Sequence, residues 1–163
     1  MPQTGVIDDG TRTLYLDTEF TSLTLDRCLI SLALVADDGV EFYVELLDGW
    51  SEAVCSEFTR ATVLPQLDLV KYGVAREKAS AMLREFLVQQ GPVEIVGDAL
   101  KWDWPLLLEL LGSPGLPDNV VGCREVDLTT VADDPDVEDA PHHALLDARL
   151  ICRITSKVRL FDR

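Results

Sequence analysis

The chain has 163 residues, 47% of them apolar, enough for one domain with a proper core and too few for two typical ones. A formal net charge of −15 excludes a protein that grips nucleic acid through a general basic surface, though not an enzyme that holds one strand end through bound cations. No apolar run approaches the length of a membrane span, and the start MPQTGVIDDG lacks the basic and apolar segments of a signal peptide, so a cytoplasmic protein without membrane association is expected.

Leu14-Tyr15-Leu16, leading into Asp17, reads as a buried strand. Cys28 to Ala36 and Val40 to Leu47 are β-rich runs joined at Asp37-Asp38-Gly39, a hairpin signal. Trp50 to Leu69 contains Pro65 and has no regular period; a loop with at most short helix is expected there. Val74 to Gln90 follows helical spacing, with Ala75, Ala79, Met82, Leu83, Phe86 and Leu87 on one side, until Gly91-Pro92 stops it. Val93 to Val96 is a short strand, Trp104 to Leu111 a short helix ended by Gly112, and Asn119 to Leu128 a fifth strand. An acidic loop (Asp133, Asp134, Asp136, Glu138, Asp139) precedes Pro141, and a last helix runs from about His143 to Leu160. A meander followed by strand–helix alternation implies an α/β domain, a mixed sheet with helices on its faces.

Cys28, Cys55, Cys123 and Cys152 form no C-x-x-C pair, and two histidines are too few to build a zinc cluster with them. They read as small buried side chains in a reducing compartment.

The acids carry more information. Asp17 and Glu19 lie two apart at the end of a strand, so both carboxylates project to one face while Thr18 points the other way. Side by side they repel, unless a cation lies between them. In the last helix, Asp147 heads a stripe continued by Leu150, Ile151, Ile154 and Val158 that must face the core. An unpaired carboxylate there costs on the order of several kcal/mol, so it needs a partner such as a cation, unless it is a partly exposed acid favoured by the first turns of the helix. Asp103 heads a similar stripe with Leu106, Leu107 and Leu110, although Pro105 beside it also allows a helix-capping role. Asp98, just after the fourth strand, competes for the same function. His142 and His143 precede Asp147 by five and four residues. Five residues turn a helix by about 140° relative to a shared face, so His142 must lie at or before the helix start to reach the site.

Asp17-Thr18-Glu19-Phe20, Asp103, and His142-His143-Ala144-Leu145-Leu146-Asp147-Ala148 together resemble the DEDDh (DnaQ-like) 3'-to-5' exonucleases, whose D-x-E, central D and H-x-A-x-x-D occur in this order. The resemblance runs from about Leu14 to Leu160. The segments D-T-E-F, V-L-P-Q-L and H-x-A-L-x-D-A-R are similar to a small bacterial exoribonuclease group within that family. It selects His142 over His143 and Asp103 over Asp98.

The resemblance implies a ribonuclease H-like fold: one domain over 1–163 with a five-stranded mixed sheet, strands 1 to 3 antiparallel, flanked by helices. It implies two Mg²⁺ or Mn²⁺ ions held by Asp17, Glu19, Asp103 and Asp147, with Asp17 bridging, and His142 as general base. Nucleoside 5'-monophosphates would leave the 3' end of single-stranded RNA, ahead of DNA. Phe20, Thr21 and Leu23 would contact the last nucleotide, although Phe20-Thr21-Ser22-Leu23 departs from the T-T-G-L found in many members. Trp102 and Trp104 are candidates for base stacking as well as for core packing, and Arg149 and Lys101 are the basic residues nearest the motifs. The other functions compatible with the sequence are a catalytically silent nucleic-acid-binding or partner subunit on the same fold and a polymerase proofreading subunit; a homodimer is compatible with all of them.

Overall fold

Leu14 and Leu16 face one side of strand β1 (Arg12–Phe20) and Tyr15 the other, and all three are buried. A strand covered on both faces lies inside its sheet, and the computed structural model places β1 there. It describes residues 10–131 and 139–161, so the predicted acidic run at Asp133, Asp134, Asp136 and Glu138 lies outside the described residues. The remaining elements are β2 (Leu29–Val35), β3 (Glu41–Leu46), α1 (Leu69–Tyr72), β4 (Gly73–Val74), α2 (Arg76–Val88), β5 (Val93–Gly97), α3 (Leu100–Leu111), β6 (Val120–Glu125) and α4 (Ala144–Phe161). The strands form one mixed sheet in the order β4-β3-β2-β1-β5-β6.

β1, β2 and β3 pair antiparallel, as expected of the meander, while β5 runs parallel to β1 and β6 parallel to β5. The turn after β2 uses Gly39 at φ +88, and the Asp38 carboxylate accepts from the Val40 N–H at 3.1 Å. The sheet has six strands, one more than expected. The addition is β4, two residues that pair parallel with β3 through Glu45↔Gly73 and Leu46↔Val74. So short a strand carries no alternation to read, and it takes Val74 from the predicted helix, which begins at Arg76 instead.

Two cores flank the sheet. On one face Leu14, Leu16, Leu32, Leu34 and Val44 pack against Ala79, Leu83 and Leu87 of α2 and Leu106, Leu107 and Leu110 of α3. On the other, Tyr15, Ala33, Val35 and Val96 receive Ala144, Ala148 and Ile151 of α4. β2 is buried at every position and reads as a continuous apolar run. Cys55 and Cys152 are buried as expected, whereas Cys28 is half-buried and Cys123, on the last strand of the sheet, is exposed. Trp50–Leu69 holds short 3₁₀ and π turns ahead of α1. No helix among the described residues is long and apolar enough to cross a membrane.

α3 begins four residues earlier than predicted, with Pro105 inside it. Proline is read as a helix start because its missing N–H is free of cost there. Here Pro105 forgoes one interior bond, and the first turn is held from outside: the Glu125 carboxylate of β6 accepts the Leu100 N–H at 3.1 Å.

Candidate metal centre

β1 outruns β5. Its parallel register with β5 ends at Tyr15↔Val96, whereas its pairing with β2 continues to Phe20. Asp17, Thr18 and Glu19 therefore extend past the carboxyl end of β5, where open α/β sheets leave a crevice. Asp98 lies at the same end, in the connection to α3.

The alternation of β1 then divides the chemistry. Asp17 and Glu19 share a face with Asp147, which lies in the first turn of α4 and is buried. Thr18 turns to the opposite side, where its hydroxyl donates to Asp103 Oδ1 at 2.6 Å. Asp103 is 2% exposed and lies in the first turn of α3; it does not cap that helix, whose cap position is Ala99. Carboxylate oxygens of Asp17, Glu19 and Asp147 lie within 4.8 Å of one another, and so do those of Asp17, Asp98 and Asp103. Asp17 belongs to both groups.

Three buried oxygens in these groups, Asp17 Oδ2, Asp103 Oδ2 and Asp147 Oδ1, meet no hydrogen-bond donor. Orphaned buried acceptors are costly, and a cation between them removes the cost. The donors are all carboxylate oxygens, the set that hard divalent cations such as Mg²⁺ and Mn²⁺ take. The buried acidic groups thus fit a metal centre.

Without a cation the site favours protons. Burial first, then the charges of Asp103, Glu19, Asp147 and Asp98, hold the Asp17 carboxyl well above its usual range. Burial pushes Glu19 up to about 8, with Asp147 and Asp103 adding to it. Asp103 rises to about 7 and Asp147 to about 6 by the same loss of hydration, against the Thr18 hydroxyl for Asp103 and the His143 backbone for Asp147. Asp98 is raised as well, again by lost hydration.

The groups open into a cavity of about 820 Å³. His142 lines it, exposed, with φ 54, the one non-glycine residue in the left-handed region among those described. It precedes α4, as its spacing from Asp147 required, and its ring meets Phe58 edge-on at 4.9 Å. His143 turns away. Its Nε2 lies 3.2 Å from the Tyr43 hydroxyl, and its carbonyl accepts the Asp147 N–H at 2.8 Å, opening the helix. Burial lowers its pKa.

Phe20 and Leu23 line the cavity. Thr21 is buried, its hydroxyl accepting from the Cys28 N–H at 3.0 Å. Trp102 lines the cavity, stacked on Phe20 and covered by the Arg27 guanidinium, while Trp104 packs against the larger core. Arg149 is engaged with Glu41, and the Lys101 ammonium lies over Trp102.

Two residues at the site were invisible in the sequence. Phe58, helical in backbone just ahead of the π-helical turn Thr59–Val63, projects half exposed at the cavity wall. Gln66 donates its amide to the carbonyls of Thr62 at 2.8 Å, Pro141 at 2.7 Å and His142 at 3.3 Å. Neither position has a period; Gln66 is marked only by its place in V-L-P-Q-L.

No family model matches this chain, and no curated protein matches it. Among solved structures it is similar to part of the family B DNA polymerase from the archaeon Pyrobaculum calidifontis, at 22% identity and a TM-score of 0.42. The alignment covers 77% of this chain and 16% of the polymerase, so the chain spans well under a fifth of that protein.

Proposed function

We propose that this chain is a metal-dependent 3'-to-5' exonuclease of ribonuclease H-like fold, a single catalytic domain with the DEDDh residue set, acting on the 3' end of single-stranded RNA in preference to DNA. The observation that carries the reading is the sharing of Asp17 between two carboxylate groups, one with Glu19 and Asp147 and the other with Asp103, facing one cavity with His142 on its wall. Asp17, Glu19, Asp103 and Asp147 would hold two Mg²⁺ or Mn²⁺ ions. When bound, such a pair supplies positive charge to the attacked phosphate and to the leaving oxygen.

The chain's own groups do the rest. Phe20 and Leu23 offer apolar surface to the terminal nucleotide, and the exposed ring of Phe58 offers a further stacking face. His142 accepts the proton of the attacking water. The new P–O bond forms as the bond to the 3'-oxygen of the penultimate nucleotide breaks, and that oxygen leaves with the bonding pair and takes a proton from solvent water. The product is a nucleoside 5'-monophosphate. Thr18 keeps Asp103 turned toward Asp17 through its hydroxyl bond, and the burial around the carboxylates excludes competing water.

The test is end-labelled single-stranded RNA and DNA incubated with Mn²⁺ and with EDTA. A ladder shortened one nucleotide at a time from the 3' end, abolished by EDTA and absent for a circular strand, is expected. Efficient cutting of the circle would mean an endonuclease and end this reading.

A further inference from the structure

The second carboxylate group has one member more than the DEDDh residue set requires. Asp98 lies in the connection from β5 to α3, exposed to the cavity, with a carboxylate oxygen within 4.8 Å of those of Asp17 and Asp103. Clustered acids alone establish nothing. Asp103 supplies the independent sign: it is 2% exposed, its Oδ1 is taken by Thr18, and its buried Oδ2 is left without a donor. The Arg27 charge lies near enough to lower the Asp103 carboxyl, but its Nη2 bonds the Trp102 carbonyl at 2.8 Å, its guanidinium lies over the Trp102 ring, and its buried Nε, like Asp103 Oδ2, stays unbonded. A buried carboxylate oxygen beside two further carboxylates calls for a cation.

We propose that Asp98 is a fifth metal-ligating carboxylate, completing with Asp17 and Asp103 a three-acid site for the second cation. This rests on the two-cation reading above. Three carboxylates would then be available to each ion, Asp17 being common to both groups. A cation held by few protein ligands relies on substrate phosphate to fill its shell. With Asp98 in place, the second ion binds before any nucleic acid arrives.

The experiment is calorimetric titration of the full chain with Mn²⁺ in the absence of nucleic acid, repeated for Asp98→Asn and for Asp127→Asn. Asp127 is exposed and lines the same cavity, outside both groups, so its replacement removes an equal charge without removing a ligand. The parent should bind two Mn²⁺. Asp98→Asn should weaken one of them by about tenfold or more, since even outer-shell partners of a metal cost 10–100-fold, and should leave the other intact. In EDTA it should melt no lower than the parent, because a repelling charge has gone. Asp127→Asn should change both affinities by less than about twofold, because an exposed carboxylate outside both groups is screened by solvent and supplies no ligand oxygen. Two ions bound by Asp98→Asn with the parent's affinities would overturn the assignment of Asp98 and leave the two-cation reading standing. So would an equal loss in Asp127→Asn, which would make the effect one of charge alone. A parent that binds no Mn²⁺ would bring down both.

Discussion

His142 and His143 have the same chemistry and differ in what holds them. His143 is fixed in the fold by Tyr43 and by opening α4, whereas His142 presents its ring to the cavity from a left-handed backbone. His142→Ala should lose about 10²–10⁴ in kcat, the usual loss with a general base, and still show a Mn²⁺-induced rise in melting temperature. His143→Ala should stay within a few-fold in rate; a crippled His143→Ala beside an active His142→Ala would reverse the roles. With His142 as the proposed base, Gln66 would act through it, as a positioning residue. Its amide ties the Pro141 and His142 carbonyls to the 3₁₀ turn that carries it. Gln66→Met keeps the bulk and removes the donors. Misplacement by about 1 Å costs up to 10²-fold, so kcat should fall toward that limit with KM and Mn²⁺ affinity unchanged. A rise in KM alone would assign Gln66 to substrate contact instead. Of these residues only the histidines were legible in sequence, through their distance from Asp147. Gln66 works by reaching across 75 positions, which no local pattern records.

α4 is the element whose sequence spoke most clearly. Its stripe of Asp147, Leu150, Ile151, Ile154 and Val158 was expected to face the core throughout. The structure buries Asp147, Ile151 and Ile154 and leaves Val158 36% exposed, because the helix continues past the sheet that covers its first turns. Ile154→Ala should therefore cost about 2–5 kcal/mol, and Val158→Ala no more than about 0.5 kcal/mol, by chemical denaturation. Equal costs would mean that the far end of α4 is covered after all. α3 was less legible, since Pro105 marks a start by local rules and the true start depends on Glu125, a β6 residue 25 positions away. β1 shows both sides of this. Its alternation correctly separates Asp17 and Glu19 from Thr18, yet gives no hint that Thr18 turns away only to hold another acid, Asp103.

Over the whole molecule, the raised carboxyls make stability depend on pH. Glu19 at about 8, Asp103 at about 7 and Asp147 at about 6 in the metal-free fold all exceed the ordinary carboxyl range. Between those limits the folded state binds more protons than the unfolded one, so stability falls as pH rises. That contribution is fully present below about pH 4 and is lost progressively from there to about pH 8. In EDTA the melting temperature should drop across this window. Mn²⁺ at about 100 times its dissociation constant should restore roughly 2.7 kcal/mol for each ion bound, and most at the alkaline end, where the carboxylates are free to take it. Asp17→Ala should lose most of that gain. A metal-free melting temperature that climbs steadily from pH 5 to 8 would contradict the burial of these groups.

The clustering of carboxyls around Asp17 also bears on how so acidic a chain would receive the polyanion proposed above. At neutral pH part of the formal −15 is cancelled where it matters, because the acids nearest the cavity hold hydrogen ions. On the two-cation reading, filling the centre would be an ion exchange, in which divalent charge enters and hydrogen ions leave. The heat of Mn²⁺ uptake should accordingly differ between buffers of different ionisation enthalpy, and the slope of that difference counts the hydrogen ions expelled. The count should fall as pH rises through about 8, once Glu19 has already given up its own.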